Sequence, residues 1–131
     1  MARAFLTEEA KADVRGLAAE DREVAREALR LTKQLEAEPF LGDRLREKSN
    51  LKPLAQAEMR KVKFDHPGRR ATARPRCRYR LLYRIEPHEG SPETVVVMAL
   101  GVKPGVYRDG TTRAVRRLRE QARARRRQPP G

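Results

Sequence analysis

Residues Arg76 to Glu86 read R-C-R-Y-R-L-L-Y-R-I-E, and this alternation limits the possible folds more than any other stretch. Side chains alternate between the two faces of a strand. Cys77, Tyr79, Leu81, Tyr83 and Ile85 therefore share an apolar and aromatic face, while Arg76, Arg78, Arg80 and Arg84 share the other, broken only by Leu82. Such a strand needs a hydrophobic layer on one side and something anionic on the other. Same-face neighbours lie ~7 Å apart, so the arginines are expected to form an outward ladder of positive charge suited to a phosphate chain.

The charge of the whole chain points the same way. Among 131 residues, 31 Lys+Arg stand against 18 Asp+Glu, a formal net charge of +13. The excess is uneven. Residues 1–50 carry 10 basic and 11 acidic side chains, whereas residues 51–131 carry 21 and 7. A balanced front half and a strongly basic back half imply a scaffold joined to a polyanion-binding surface. No apolar run approaches the ~18 residues of a membrane span, and Arg3, Glu8, Glu9 and Lys11 interrupt any secretory signal. The single cysteine, Cys77, excludes an intrachain disulfide; it reads as a small buried hydrophobe, and the chain as cytoplasmic. Two histidines in separate loops and one cysteine make no ligand set, and no glycine-rich nucleotide loop is present, so no metal or other cofactor is expected.

Ala4-Phe5-Leu6 predicts a short first strand. Thr7 stands as an N-cap before Glu8 and Glu9, predicting a helix to about Leu17 with Ala10, Val14, Leu17 and Ala18 on one side. Asp21 caps a second helix carrying the stripe Val24, Ala28, Leu31 and Leu35, which Pro39 ends. Residues Phe40–Gln56 read as irregular. A strand at about Glu58–Phe64 directs Val62 and Phe64 to the core and Met59, Lys61 and Lys63 to the opposite face. Asp65–Pro75 is a long basic connection. The arginine-faced strand follows, then a loop at Pro87–Glu93. Thr94–Leu100 is apolar on both faces, as a central strand should be. A last short helix begins near Tyr107–Thr112. After Leu118 the sequence is too basic and too poor in apolar residues to order itself alone. One domain over 1–118 and a frayed, then disordered, basic tail over 119–131 are expected.

Three pieces, R-K-V-K-F at 60–64, Y-R-L-L-Y-R-I at 79–85 and V-V-V-M-A-L-G-V-K-P-G-V-Y at 95–107, stand in an order that resembles the RelE/ParE superfamily of type II toxin–antitoxin toxins, closer to its RelE, mRNA-cleaving branch. The resemblance spans roughly Phe5 to Leu118. It implies an α+β fold in which an N-terminal helical hairpin packs on a small, mainly antiparallel sheet with a short C-terminal helix. It also implies a metal-independent endoribonuclease acting on mRNA, on the ribosome, and silenced by a cognate antitoxin. Carried over by motif, the catalytic residues would be Lys61 and Lys63 of the K-x-K pair, Arg80, Lys103 after Gly101, and Tyr107. Around them Arg60, Arg69, Arg70, Arg78 and Arg84 are expected to bind RNA. Lys103 stands where the ribonuclease branch usually has arginine.

The chemistry suits these residue types. The ribose 2′-hydroxyl must lose a proton as it attacks phosphorus, charge builds on the phosphoryl oxygens, and the departing 5′-oxygen needs a proton or cation. Lys61 or Lys63 is expected as general base or electrostatic stabiliser, Arg80 and Lys103 as phosphate clamps, and Tyr107 as a stacking or orienting group. Plainer readings stand beside these. Lys61 and Lys63 could be the solvated face of an edge strand, Tyr79 and Tyr83 read as core, and His66 and His88 as solvated loop residues. Two other functions fit the same scaffold: a non-enzymatic, ParE-like inhibitor with DNA gyrase as partner, and a non-toxic basic nucleic-acid-binding module.

Overall fold

In the computed structural model, residues 2–45, 54, 57–69, 72–74, 76–88 and 91–127 are described, with backbone alone at 87–88 and 91–93. The elements run β1 (Arg3–Leu6), α1 (Glu8–Glu20), α2 (Arg22–Ala37), β2 (Asp43–Arg44), β3 (Met59–Phe64), β4 (Tyr79–His88), β5 (Ser91–Val102) and α3 (Gly105–Arg127). The strands form one sheet in the order β1-β5-β4-β3-β2. Only the β1–β5 pair is parallel. The expected α+β architecture, a helical hairpin on a mainly antiparallel sheet, is what the chain adopts.

The hairpin turns on two capping residues. Thr7 accepts the Ala10 N–H through its hydroxyl at 3.1 Å, starting α1. Asp21 serves both helices: its N–H closes α1 on the Leu17 carbonyl at 2.7 Å, and its carboxylate accepts the Glu23 and Val24 N–H groups that open α2. The stripe Val24, Ala28, Leu31 and Leu35 is buried as its spacing predicts, packed with Phe64, Leu81, Tyr83, Val95 and Val97 of the sheet. Full burial stabilises by about 1.5–3 kcal/mol for each large apolar side chain.

The opposite face of the sheet is not open. Helix α3 lies on it, and Val106, Gly110 and Ala114, four residues apart, are its buried positions. They join Leu54, Met59, Leu82, Val96, Met98 and Ala99 in a second core. Gly110 permits the close approach, because a Cβ there would stand 2.6 Å from Leu82 Cδ1. A bulge between β4 and β5 adjusts the facing: Leu82 pairs with Ala99 but Tyr83 with Val97. Met98 and Ala99 therefore both join the α3 side, and Leu100 returns to the hairpin side.

Helices on opposite faces are tied around the rim of β5. Strand β1 pairs only as far as Val97, leaving the rest of that edge to side chains. Asp13 of α1 accepts the Leu100 N–H at 3.0 Å, and Arg113 of α3 donates to the Met98 carbonyl at 3.0 Å. Arg113 also donates to Asp13 at 2.6 and 3.2 Å. The pair satisfies an exposed strand edge that would otherwise invite another chain.

Several boundaries differ from the sequence reading. Strand β4 begins at Tyr79, so Arg76, Cys77 and Arg78 precede the sheet. Residues 87–88 and 91–93, expected as loop, extend β4 and β5, and β2 falls within the stretch expected to be irregular. Helix α3 is not short. It begins at Gly105 and continues to Arg127, so the segment expected to fray after Leu118 is helical that far; 128–131 lie outside the described residues. Among the described residues no helix is long and apolar enough to cross a membrane.

Two glycine substitutions test the packing of α3. Gly16 is exposed on α1, and a Cβ added there would meet nothing within 4 Å, so Gly16→Ala should raise stability by about 0.5–1 kcal/mol through the unfolded chain and helix propensity. Gly110→Ala should instead lower it by about 1–2 kcal/mol, since crowding Leu82 outweighs that gain. Urea denaturation of both variants reads the difference; equal stabilisation would place α3 farther from β4.

Candidate active site

Strand parity puts the lysine pair and Arg80 on one face. Lys63 pairs with Arg80, and Arg80 with Gly101, in a row across β3, β4 and β5. Lys61, Leu82 and Ala99 form the next row. Directly opposed residues share a face, with Cβ atoms about 4.5–5.5 Å apart. It is the face that α3 covers. Tyr107, in the first turn of α3, is half-buried against the same core, and Lys103 is exposed on the turn joining Gly101 to that helix. Register and topology thus bring Lys61, Lys63 and Arg80 together, with Tyr107 on the helix laid over them and Lys103 at the row's end.

Arg80 is enclosed, against the expectation of an outward clamp. It is 5% exposed. Its Nη1 donates to the Cys77 and Tyr79 carbonyls at 2.9 and 3.0 Å, and its Nε is buried without a partner. Among the described residues no carboxylate pairs with it. A buried cation answered only by carbonyls is costly. Lys63 beside it is exposed, and it too has no ion pair among the described residues.

The surrounding arginines behave differently. Arg78 grips Asp65 with Nε at 3.0 Å and Nη2 at 2.8 Å, and its backbone N–H adds a third bond at 2.9 Å. Arg69 stands 3.4 Å from the same carboxylate. Arg84 shares the face of Arg80 but donates to Glu86 and Gln121, both at 3.1 Å, while Arg117 of α3 takes Glu86 with two bonds of 2.7 Å. Arg60 pairs with Tyr83 and so lies on the hairpin face. It donates to the Gly42 carbonyl at 2.7 Å and stacks over Phe40. Arg70 lies outside the described residues. The expected RNA-binding ladder is therefore mostly consumed by internal contacts, and Arg60 is turned away from the row.

Burial acts on Asp65 and Glu86 to raise their pKa values, but their hydrogen bonds win. Arg78, through side chain and backbone, and the His66 N–H hold Asp65 well below the usual carboxylate range. Arg117, with help from Gln121 and Arg84, holds Glu86 below its ordinary value. Sequence reasoning missed both acids. For Glu86 a signal existed: it follows Arg84 by two residues in the strand, hence on the same face. Asp65 offered only its place before a His-Pro-Gly turn. Tyr79 and Tyr83 are core as expected. The Tyr83 hydroxyl donates to the Pro39 carbonyl at 2.7 Å and accepts the Gly42 N–H at 2.9 Å. Among the described residues no group of three His, Cys, Asp or Glu could hold a metal ion.

No protein-family model, curated protein or solved structure matches this chain.

Asp65 gives a pH test of this electrostatic arrangement. Its folded pKa is depressed, so its contribution is complete above the unfolded value of about 3.9 and is lost as pH falls through the lower folded value. Asp65→Asn should cost about 1–3 kcal/mol at pH 7 by leaving its donors poorly answered. The gap from wild type should narrow at pH 3. A gap independent of pH in urea denaturation would show that the carboxylate's charge is not what stabilises.

Proposed function

We propose that this protein is an mRNA-cleaving endoribonuclease, the toxin of a type II toxin–antitoxin pair of the RelE kind, acting in the cytoplasm on ribosome-bound messages and held in check by a cognate antitoxin. One observation carries the reading. Arg78, Arg84, Arg113 and Arg117 each reach a carboxylate, whereas Arg80, the one buried arginine among the described residues, reaches none and sits beside exposed Lys63. Half-buried Arg84, Arg113 and Arg117 are each given a carboxylate, and leaving the most deeply buried arginine without one prepares it for an anion supplied from outside.

A scissile phosphate over the Lys63 end of the row meets two kinds of cation. Lys63 contacts the phosphoryl oxygens directly, and enclosed Arg80 acts through its field, undiluted by water. The 2′-oxygen forms its bond to phosphorus as the P–O5′ bond breaks, leaving a 2′,3′-cyclic phosphate and a 5′-hydroxyl. Lys61 or Lys63 accepts the 2′ proton or stabilises the oxyanion. The departing 5′-oxygen takes its proton from the lysine of the pair that is not the base, Lys103 beyond the Gly101 end of the row holds the flanking backbone, and Tyr107 orients the nucleotide beside α3.

Two substitutions separate function from folding. Lys63→Ala removes an exposed side chain and should lower RNA cutting about 10²–10³-fold with the melting temperature unchanged. Arg80→Met should leave the melting temperature unchanged or raise it, because a buried unpaired charge is replaced by an apolar side chain, while cutting falls as far. Purified protein, a defined messenger and primer extension give the readout. Undiminished cutting by both variants would remove the assignment. Wild-type binding without cutting would leave a basic nucleic-acid-binding module.

A further inference from the structure

The connection from β3 to β4 builds something the Lys63–Arg80 row does not use. A cleft of about 320 Å³ lies between α2 and the adjoining ends of these strands, lined among others by Glu27, Arg30, Lys63, His66, Arg69 and Arg76. That volume falls near the low end of small-ligand sites, roughly 300–1,000 Å³, room for about one nucleotide.

Its acids are already taken. Glu27 accepts Arg30 at 2.5 and 3.0 Å, and Asp65 at the cleft accepts Arg78. Lys63 and Arg76 have no ion pair among the described residues, so the lining carries surplus positive charge. His66 adds a ring donor. Its Nδ1 accepts the Gly68 N–H at 2.9 Å, which leaves the ring N–H at Nε2. Lys63 belongs both to this cleft and to the row with Arg80. Strand β2 pairs with β3 only at Arg60 and Lys61, so among the described residues the edge of β3 beside Lys63 has no neighbouring strand in the way.

We infer that this cleft holds the phosphate next to the scissile one in a single-stranded RNA, with Arg76 and His66 Nε2–H as its ligands and Lys63 between the two phosphates. The inference rests on the nuclease reading of the row and adds a subsite to it. An acidic peptide could offer carboxylates to the same cations; RNA is favoured because Lys63, at the edge of β3, lines the cleft on the α2 side and also belongs to the row on the α3 side, so a strand passing around that edge meets both.

The test uses the full chain and non-cleavable 2′-O-methyl uridine oligomers, a dinucleotide with one bridging phosphate and a tetranucleotide with three, in fluorescence anisotropy at several salt concentrations. Wild type should bind the tetramer at least about tenfold tighter than the dimer, the effect of one further charged contact. Arg76→Ala, an exposed change, should remove most of that gain, leave dimer binding within about twofold, and reduce the salt slope by about 0.7. His66→Gln should remove part of it. The cleft assignment is overturned if wild type shows no gain with length, if Arg76→Ala keeps the gain, or if a glutamate-rich peptide alone loses affinity for Arg76→Ala. RNA cutting by wild type, measured in parallel, separates the two claims. Cutting with the gain retained in Arg76→Ala removes the subsite alone. No cutting, with the gain present and lost on substitution, removes the nuclease and keeps the cleft as a phosphate site.

Discussion

A middle strand covered on both sides must find a packed place for every side chain, and β4 meets this demand with arginines on the side that receives α3. The hairpin face is simple: Tyr79, Leu81 and Tyr83 enter the core with α2. On the other face Leu82 accepts the close crossing of α3 at Gly110. That crossing fixes how little water reaches the arginines on either side of Leu82. Arg84 answers the constraint through Nη1 with Glu86 and Gln121, although its Nε, like that of Arg80, is buried without a partner. Arg80 does not, and its guanidinium rests on two backbone carbonyls. The functional reading depends on that difference in how the same residue type is accommodated at two positions of one strand face.

The rest of the architecture holds this face still. Asp13 and Arg113 join α1 to α3 around the rim of β5, and Glu86 with Arg117 joins α3 to β4. With α3 anchored at both places, Tyr107 and the Gly101 turn have a fixed position over the row that begins at Lys63. Sites positioned by strands and anchored helices keep their geometry better than sites on loops. The arrangement gives the proposed chemistry a rigid base and leaves adaptability to the exposed lysines.

The hairpin and the sheet were legible from sequence because capping and periodicity are local. Thr7 and Asp21 act where their types predict, and the Val24–Leu35 stripe is buried as its spacing requires. The face shared by Lys61 and Lys63 followed from strand parity alone. What escaped was the covering of the arginine face. Helix α3 packs through Val106, Gly110 and Ala114, small residues that leave almost no hydrophobic stripe in so basic a segment. The segment therefore reads as a short helix that gives way after Leu118 to a solvated tail. Its length is hard to read for the same reason, since Arg113 and Arg117 contribute by pairing with acids distant in sequence. Asp65 was equally hidden: its partner Arg78 lies across a long connection, and only the fold brings them together. Ser91, Pro92 and Glu93 read as loop because backbone pairing with β4 leaves no hydrophobic signature.

The central claim is that Arg80 is a buried cation awaiting an external phosphate. The direct measurement is nitrogen-15 NMR of arginine Nε–H groups, titrated with the 2′-O-methyl dinucleotide. Arg78 and Arg117, whose Nε atoms are bonded to Asp65 and Glu86, serve as internal references. The account predicts an Arg80 Nε–H resonance that shifts as ligand is added while the two references stay in place. An Arg80 signal that ignores the ligand, or moves no more than the references, would contradict it.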